Sequence, residues 1–124
     1  MNLVNLLLIL ASVGLSALAQ IAMKSGMSAP TVLAAVEQGS VAASYVSILT
    51  TPMVWVGLGC YGLGALVWLR VLSAVDVGQA YPFVALGFVL TMALGCLVLG
   101  EAVHLTRLFG AGLILAGVWL VGLR

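Results

Sequence analysis

Polar residues recur along the first apolar stretch of the sequence at a spacing that places them on one helical face. Ser12, Ser16, Gln20 and Lys24 follow one another at intervals of four residues, and Asn5 falls close to the same face. Because an α-helix turns by about 100° per residue, this row drifts by only about 40° at each step. Hydroxyl and amide groups can hydrogen-bond a polar ligand, and a lysine can bind an anion. The spacing therefore predicts a polar stripe along an otherwise apolar helix.

Two interpretations of this stripe differ in function. Serine and glutamine in apolar helices commonly bond to carbonyl groups or to a neighbouring helix, and a terminal lysine extends to the lipid head groups. For the serines alone we favour helix association. For the stripe as a whole, five polar positions on one face favour a water-accessible cavity.

Most other polar residues lie at the ends of apolar stretches. Tyr81 enters the third stretch, and Glu101 closes it. Arg70 and Arg107 are expected to anchor their helices at the membrane interface. Lys24 and Glu101 should face the same side, because successive spans alternate in direction. The sequence shows no nucleophile and base pattern, no Walker A loop and no metal-ligand spacing, so we expect neither an enzyme nor a cofactor.

The composition sets the class of protein. With 65% hydrophobic residues, 6% charged residues and a mean hydropathy of +1.34, the chain of 124 residues is too apolar for a soluble domain, in which about a quarter of residues are charged. Four stretches approach the roughly 20 apolar residues that cross a bilayer, at positions 3–23, 52–69, 77–99 and 105–123. We expect the first to be a retained span and not a cleaved signal peptide, since no basic residue precedes it. The sequence predicts an all-α membrane protein, with residues 1–124 forming one domain of four transmembrane helices, and its net charge of +1 indicates no nucleic-acid partner.

The segment 28–50 matches neither a span nor a free loop. It is rich in Ala, Val and Ser and carries Glu37, so it is too polar to cross the membrane and too apolar to be a free loop. An interfacial amphipathic helix, or helical extensions of the first two spans, would accommodate it. Thr51 before Pro52 predicts a hydroxyl cap at the start of the second span. Pro82 predicts a kink or a late helix start in the third span.

Glycines mark two helix faces. The run from Gly57 to Gly62 matches the dinucleotide pattern G-x-G-x-x-G, but that motif needs a strand and a turn, whereas these residues lie within a span. We interpret Gly57, Gly59, Gly62 and Gly64 as sites where another helix approaches closely.

Gly110 and Gly117 are a heptad apart in the fourth span and predict a second pairing face, for a dimer. The basic residues do not fix how such a dimer is oriented. Arg70 and Arg124 fall on one side of the membrane, and Lys24 and Arg107 fall on the other. An antiparallel pair of copies and a single orientation set by a partner subunit or by loop lengths both remain open.

Four segments together resemble a known family: SALAQIAMK, DVGQAYPFVALGFVL, LVLGE and RLFGAGLILAGVWLVG. They are similar to the four-helix members of the drug/metabolite transporter superfamily. Two branches compete, the small multidrug resistance exporters and the small EamA-type subunits that flip aminoarabinose-phosphoundecaprenol. The exporters carry a proton-binding and drug-binding glutamate at the position of Ser16, so this chain resembles the flippase subunits more.

The resemblance implies a substrate and its contacts. The substrate would be a polyprenyl phosphate carrying an amino sugar, translocated across the bacterial inner membrane by a homodimer or by a heterodimer with a homologous small subunit. Lys24 would bind the phosphate, and Ser16, Gln20 and Tyr81 would bind the sugar. Glu101 would either receive the cationic amine or neutralise Lys24. The alternatives are a small multidrug resistance-type exporter of cations and a regulatory or assembly subunit without transport of its own.

Overall fold

Helices account for almost all of residues 2–123, the part of the chain that this computed structural model describes. The long helices are α1 (Leu3–Met27), α4 (Pro52–Leu72), α6 (Val84–Leu99) and α7 (Leu105–Gly122). The short helices are α2 (Pro30–Glu37), α3 (Val41–Leu49) and α5 (Val77–Ala80). No strand occurs in the described range, which confirms the all-α class. Arg124, one of the basic residues counted above, lies outside the described residues.

Four helical stretches are long and apolar enough to cross a membrane, as predicted. They are Leu3–Met27, Pro52–Leu72, Val77–Leu99 and Leu105–Gly122, with 25, 21, 23 and 18 residues. The first two continue past the predicted ends at 23 and 69, because Lys24 and Arg70 lie in the last turns of their helices and do not end them. A helix satisfies its own backbone, so a long basic side chain near its end can extend toward water without a break.

The third span is interrupted at its proline, as predicted. A 3-10 turn at Tyr81–Phe83 separates α5 from α6. Pro82 has no N–H to donate within a helix, and its ring crowds the preceding turn. The late start of α6 turns Phe83 into the core, where it is buried beside Ile9 and Val118.

The segment 28–50 forms two short helices. Gly39, with φ of 75°, turns the chain between α2 and α3, and the Ser44 hydroxyl donates to the Ala35 carbonyl across the pair at 3.3 Å. Val32 is fully buried, whereas Val41 and Tyr45 are exposed. The segment therefore forms separate short helices, two instead of the one in the first alternative, although α1 does continue to Met27.

The predicted hydroxyl cap of α4 is wrong. Thr51 occupies the N-cap position and Pro52 follows it, but the Thr51 side chain makes no capping bond to α4. Its hydroxyl instead donates to the Ser47 carbonyl at 2.9 Å. Thr51 also lies just beyond the end of α3, where helix carbonyls lack intrahelical partners, and its hydroxyl satisfies one of them.

Helices α1 and α4 pack antiparallel through only two of the four α4 glycines. A Cβ on Gly57 would lie 3.0 Å from the Ala19 carbonyl oxygen, and a Cβ on Gly64 would lie 3.2 Å from the Ser12 carbonyl oxygen. Gly59 and Gly62 have nothing within 4 Å of a Cβ position among the described residues, so close helix approach at these two stays a prediction. Gly57 and Gly64 are seven residues apart and share one face, whereas the other two point away from α1.

Helix α1 lies at the centre of the fold, against α4 on one side and α6 on the other. The apolar core collects Ile9 and Val13 of α1 with Val71 of α4 and Val118 of α7. Helix α7 packs on α6 and on the 3-10 turn, and much of its surface is open, with Leu113 at 76% exposure. A groove lies between α1, α4 and the third span.

Candidate ligand-binding groove

Ser12 belongs to the helix packing and not to a free polar surface. Its side chain is buried, and its hydroxyl donates to the Gly64 carbonyl at 2.7 Å. Gly64 has no side chain, so the two helices approach closely enough for this bond to form. The helix-association interpretation is therefore correct for Ser12.

The rest of the stripe borders a cavity between α1, α4 and the third span. Its inner part has a volume of about 230 Å³ and includes Ser16, Tyr61, Trp68 and Tyr81 in its wall. We call this part the inner cavity. Tyr61 and Tyr81 are 49% and 63% exposed, so the inner cavity is open at the surface of the single chain.

A second cavity continues from the first toward the carboxyl end of α1. It has a volume of about 350 Å³ and includes Ser16, Gln20, Tyr61, Phe88 and Thr91 in its wall. We call it the middle cavity. Because the two cavities share Ser16 and Tyr61, they form one polar groove.

The groove ends at a third cavity, which carries charge. This cavity, about 380 Å³ in volume, is lined by Phe88, Thr91, Met92, Glu101 and Arg107. We call it the charged mouth. It shares Phe88 and Thr91 with the middle cavity, so the three cavities adjoin one another from Tyr81 to Glu101.

The structure brings together four of the five predicted binding residues. Ser16, Gln20 and Tyr81 line the groove, and Glu101 lines its charged mouth. Lys24 is exposed in the last turn of α1 and is not among the residues that line these three cavities.

Two groove residues, Tyr61 and Thr91, were missed by the sequence analysis. Tyr61 lies four residues after Gly57 and three before Gly64, so it shares the α4 face that packs on α1. Thr91 is the one hydroxyl-bearing residue in α6. Both signals could have been found, the first from glycine periodicity and the second from the rarity of polar residues in that span.

The chemistry available along the groove changes with depth. Inside the spans, its polar side chains are hydroxyls, an amide and an indole, which donate and accept hydrogen bonds without carrying a full charge. At the charged mouth a carboxylate and a guanidinium are present. This arrangement suits a polar ligand with several hydroxyl groups whose charged groups are first bound near one membrane face.

The predicted pairing face on α7 has no partner within the chain. A Cβ built on Gly110 or Gly117 would meet no atom within 4 Å among the described residues. The face is therefore available to a second protein, and its role in a dimer stays a prediction.

The fold and the groove define a small multi-pass membrane protein with a polar path along its spans. Curated relatives are similar to it. A protein of Pseudomonas savastanoi pv. phaseolicola is 45% identical over 74 residues, 60% of this chain and 65% of the relative. A protein of Pseudomonas fluorescens is 34% identical over 117 residues, 94% of this chain and 96% of the relative. Both are named as a probable 4-amino-4-deoxy-L-arabinose-phosphoundecaprenol flippase subunit ArnE, and the chain belongs to this ArnE family.

The extent of these matches differs. A Pseudomonas aeruginosa protein with the same name is 46% identical over 74 residues, which is 60% of this chain and 64% of the relative. In this comparison and in that with the P. savastanoi protein, the match spans slightly less than two thirds of the relative's length. No family model matches the chain, and no solved structure matches it. Family membership and the four apolar helices make it a multi-pass protein of the bacterial inner membrane.

Proposed function

We propose that this chain is one subunit of a flippase that moves a polyprenyl phosphate carrying an amino sugar across the bacterial inner membrane. The observation that carries the proposal is the row of adjoining cavities, whose polar side chains are uncharged within the spans and charged at one mouth. A sugar would exchange hydrogen bonds with water for hydrogen bonds along this groove, while the prenyl chain stays in lipid. The relatives are named as probable flippase subunits for 4-amino-4-deoxy-L-arabinose-phosphoundecaprenol, and these names agree with this chemistry.

The roles of individual residues follow from their places in the groove. Gln20, Ser16 and Tyr81 are proposed to bind the sugar hydroxyls in that order as the head group advances from the charged mouth. Tyr61 and Thr91 add hydroxyls on the facing helices. Lys24, exposed at the membrane face where α1 ends, is proposed to attract the phosphate as the substrate arrives.

A cation exporter is the alternative, and the groove argues against it. The exporter mechanism uses a carboxylate in the first span, whereas this chain places the Ser16 hydroxyl in both inner and middle cavities. A hydroxyl neither attracts a cation nor exchanges a proton near neutral pH as a carboxylate does.

A partner subunit is part of the proposal. The groove is open at the surface of the single chain, and the Gly110 and Gly117 face of α7 is free. A second small subunit, identical or homologous, would cover part of the open surface and pair through small residues. Reporter fusions can determine whether the two subunits insert in opposite orientations.

The functional test uses a bacterial strain that lacks its own aminoarabinose-lipid flippase. The chain is produced with the neighbouring small subunit of its source, and amino-sugar-modified lipopolysaccharide is measured by mass spectrometry. The proposal predicts that modification returns and that resistance to toxic quaternary cations does not rise. Cation resistance without restored modification would contradict it.

A matched pair of variants links this result to the groove. Thr91→Val removes a hydroxyl from the middle cavity at nearly constant volume, and Thr106→Val makes the same change on the exposed side of α7. We expect modification to fall several-fold for the first variant and to stay unchanged for the second. Equal behaviour of the two variants would argue against passage along this groove.

A further inference from the structure

The charged mouth holds two opposite charges that do not neutralise each other. Glu101 and Arg107 both line this cavity of about 380 Å³. Within residues 2–123, no ion pair joins the two side chains. They therefore flank a space in which a ligand could contact both.

The backbone builds the position of Glu101. Gly100 adopts a φ of 69°, which ends α6 and lets the Glu101 N–H donate to the Gly95 carbonyl at 3.1 Å. The left-handed conformation at Gly100 is one that residues with a Cβ adopt only at a cost. The chain thus doubles back over the last turn of α6 and keeps Glu101 close to the helix.

The absence of a side chain at Gly95 leaves room for the Glu101 carboxylate. An ideal Cβ at Gly95 would lie 2.9 Å from Oε2 of Glu101, which is closer than real Cβ contacts allow. The carboxylate occupies the space that any larger residue at this position would fill. Gly95 is buried, so its surface is reserved for the Glu101 side chain.

Arg107 faces the same space from the other end of the connection. It lies in the first turn of α7, where its N–H donates to the His104 carbonyl at 3.0 Å. Both ends of the short connection between α6 and α7 are therefore held by backbone hydrogen bonds. This holds the two charged residues on either side of one cavity.

We propose that the charged mouth is the loading site for a zwitterionic head group, with Arg107 on a phosphodiester and Glu101 on an ammonium. A simple cation would be repelled by Arg107, and a simple anion would be repelled by Glu101. A ligand that carries both charges can pair with both residues. Gly95 is a positioning residue that keeps the carboxylate in place. This proposal rests on the proposed function and identifies the phosphate contact within the groove as Arg107, because Lys24 does not line it.

The cavity lining distinguishes the two roles left open for Glu101, which are binding a cationic amine and neutralising Lys24. Glu101 lines a cavity with Arg107 and Thr91 and without Lys24, so receiving an amine is favoured over neutralising Lys24. Thr91 also lines the middle cavity, so a sugar between the two charges is already beside the uncharged part of the groove.

The test measures binding to the full chain together with its partner subunit in lipid nanodiscs. One probe is a short-chain polyprenyl phosphate ester of 4-amino-4-deoxy-L-arabinose, and the second is the same lipid with its amine acetylated. We expect Arg107→Gln to weaken binding of both probes by about tenfold, since a charge-assisted bond to phosphate is lost from each. We expect Glu101→Gln to weaken binding of the amine probe by a similar factor and to leave the acetylated probe unchanged.

Control variants separate site effects from charge effects. Glu37→Gln and Arg70→Gln remove the same charges away from the charged mouth and should change neither affinity. Gly95→Ala should lower affinity for the amine probe alone, because the carboxylate is displaced while Arg107 is untouched.

Two failures are distinguishable. If the unaltered chain with its partner subunit binds neither probe, the proposed function fails and this assignment fails with it. If the unaltered chain binds the amine probe and Glu101→Gln weakens both probes equally or neither, the assignment is overturned while the proposed function stands.

Discussion

Replacing Gly57 by alanine tests the helix contact that forms one wall of the groove. The new Cβ would lie 2.5 Å from Met23 Cγ and 3.0 Å from both the Ala19 carbonyl oxygen and the Met23 nitrogen. The Met23 side chain can rotate away, but the two backbone atoms cannot, so α1 and α4 must separate. Overpacking of this kind costs about 1–3 kcal/mol.

The intrinsic helix preference of alanine acts in the opposite direction and is smaller. In soluble helices an alanine is favoured over a glycine by about 1 kcal/mol. Gly59→Ala is the matched control, because it makes the same exchange in the same helix with nothing within 4 Å of the new Cβ. We therefore expect Gly59→Ala to be neutral or stabilising and Gly57→Ala to be less stable than it by about 1–3 kcal/mol.

The assay is unfolding of the purified chain in mixed micelles of increasing SDS content, followed by circular dichroism and tryptophan fluorescence. The expected result is an earlier unfolding midpoint for Gly57→Ala than for Gly59→Ala. Equal midpoints would show that the two glycines have the same surroundings, and would refute the packing of α1 on α4 described above.

The remaining predictions concern three other positions and the orientation of the chain. Ser12→Ala should lower the unfolding free energy by about 0.6 kcal/mol in the same assay, the average for an interhelical bond in a membrane protein. Lys24→Met should abolish lipopolysaccharide modification while the unfolding midpoint is unchanged, and normal modification would exclude its phosphate role. Ser16→Ala should leave proton flux in proteoliposomes unchanged, whereas a large flux that depends on Ser16 would revive the exporter alternative. Reporter fusions after Arg124, with and without a lysine added beside Arg70, distinguish the two orientation alternatives. An antiparallel pair predicts mixed orientation that the added lysine shifts to one orientation, and a single orientation in both cases would exclude dual topology.

The spans could be predicted from the sequence because apolar length and proline placement depend on local chemistry. Pro82 cannot donate a backbone hydrogen bond wherever it lies, so the break before α6 was foreseeable. The role of Thr51 was not foreseeable, because its hydroxyl could bond to the backbone at the end of α3 or at the start of α4. It bonds to the end of α3. That outcome depends on α3 ending beside Thr51, which no local pattern in 28–50 specified.

The site was predictable in part for the same reason. Periodicity places Ser16 and Gln20 on one face of α1 before any partner is known. It cannot tell that Ser12 on that face faces the Gly64 carbonyl, or that Lys24 lies beyond the groove, since both depend on where α4 and α6 pack. Glycine periodicity on α4 could have indicated Tyr61, and the tertiary contacts identify Gly57 and Gly64 as the pair that packs on α1.

The most direct measurement of the proposed function is sided chemical labelling of the lipid substrate in proteoliposomes. Vesicles containing the aminoarabinose lipid in both leaflets are treated with an amine-reactive reagent that cannot cross the membrane, with and without this chain and its partner subunit. Flipping predicts that the labelled fraction rises from the outer-leaflet share to nearly all of the lipid on the time scale of minutes, and that Glu101→Gln slows this rise. A labelled fraction that stays at the outer-leaflet share, with both subunits folded in the vesicles, would contradict the proposed function.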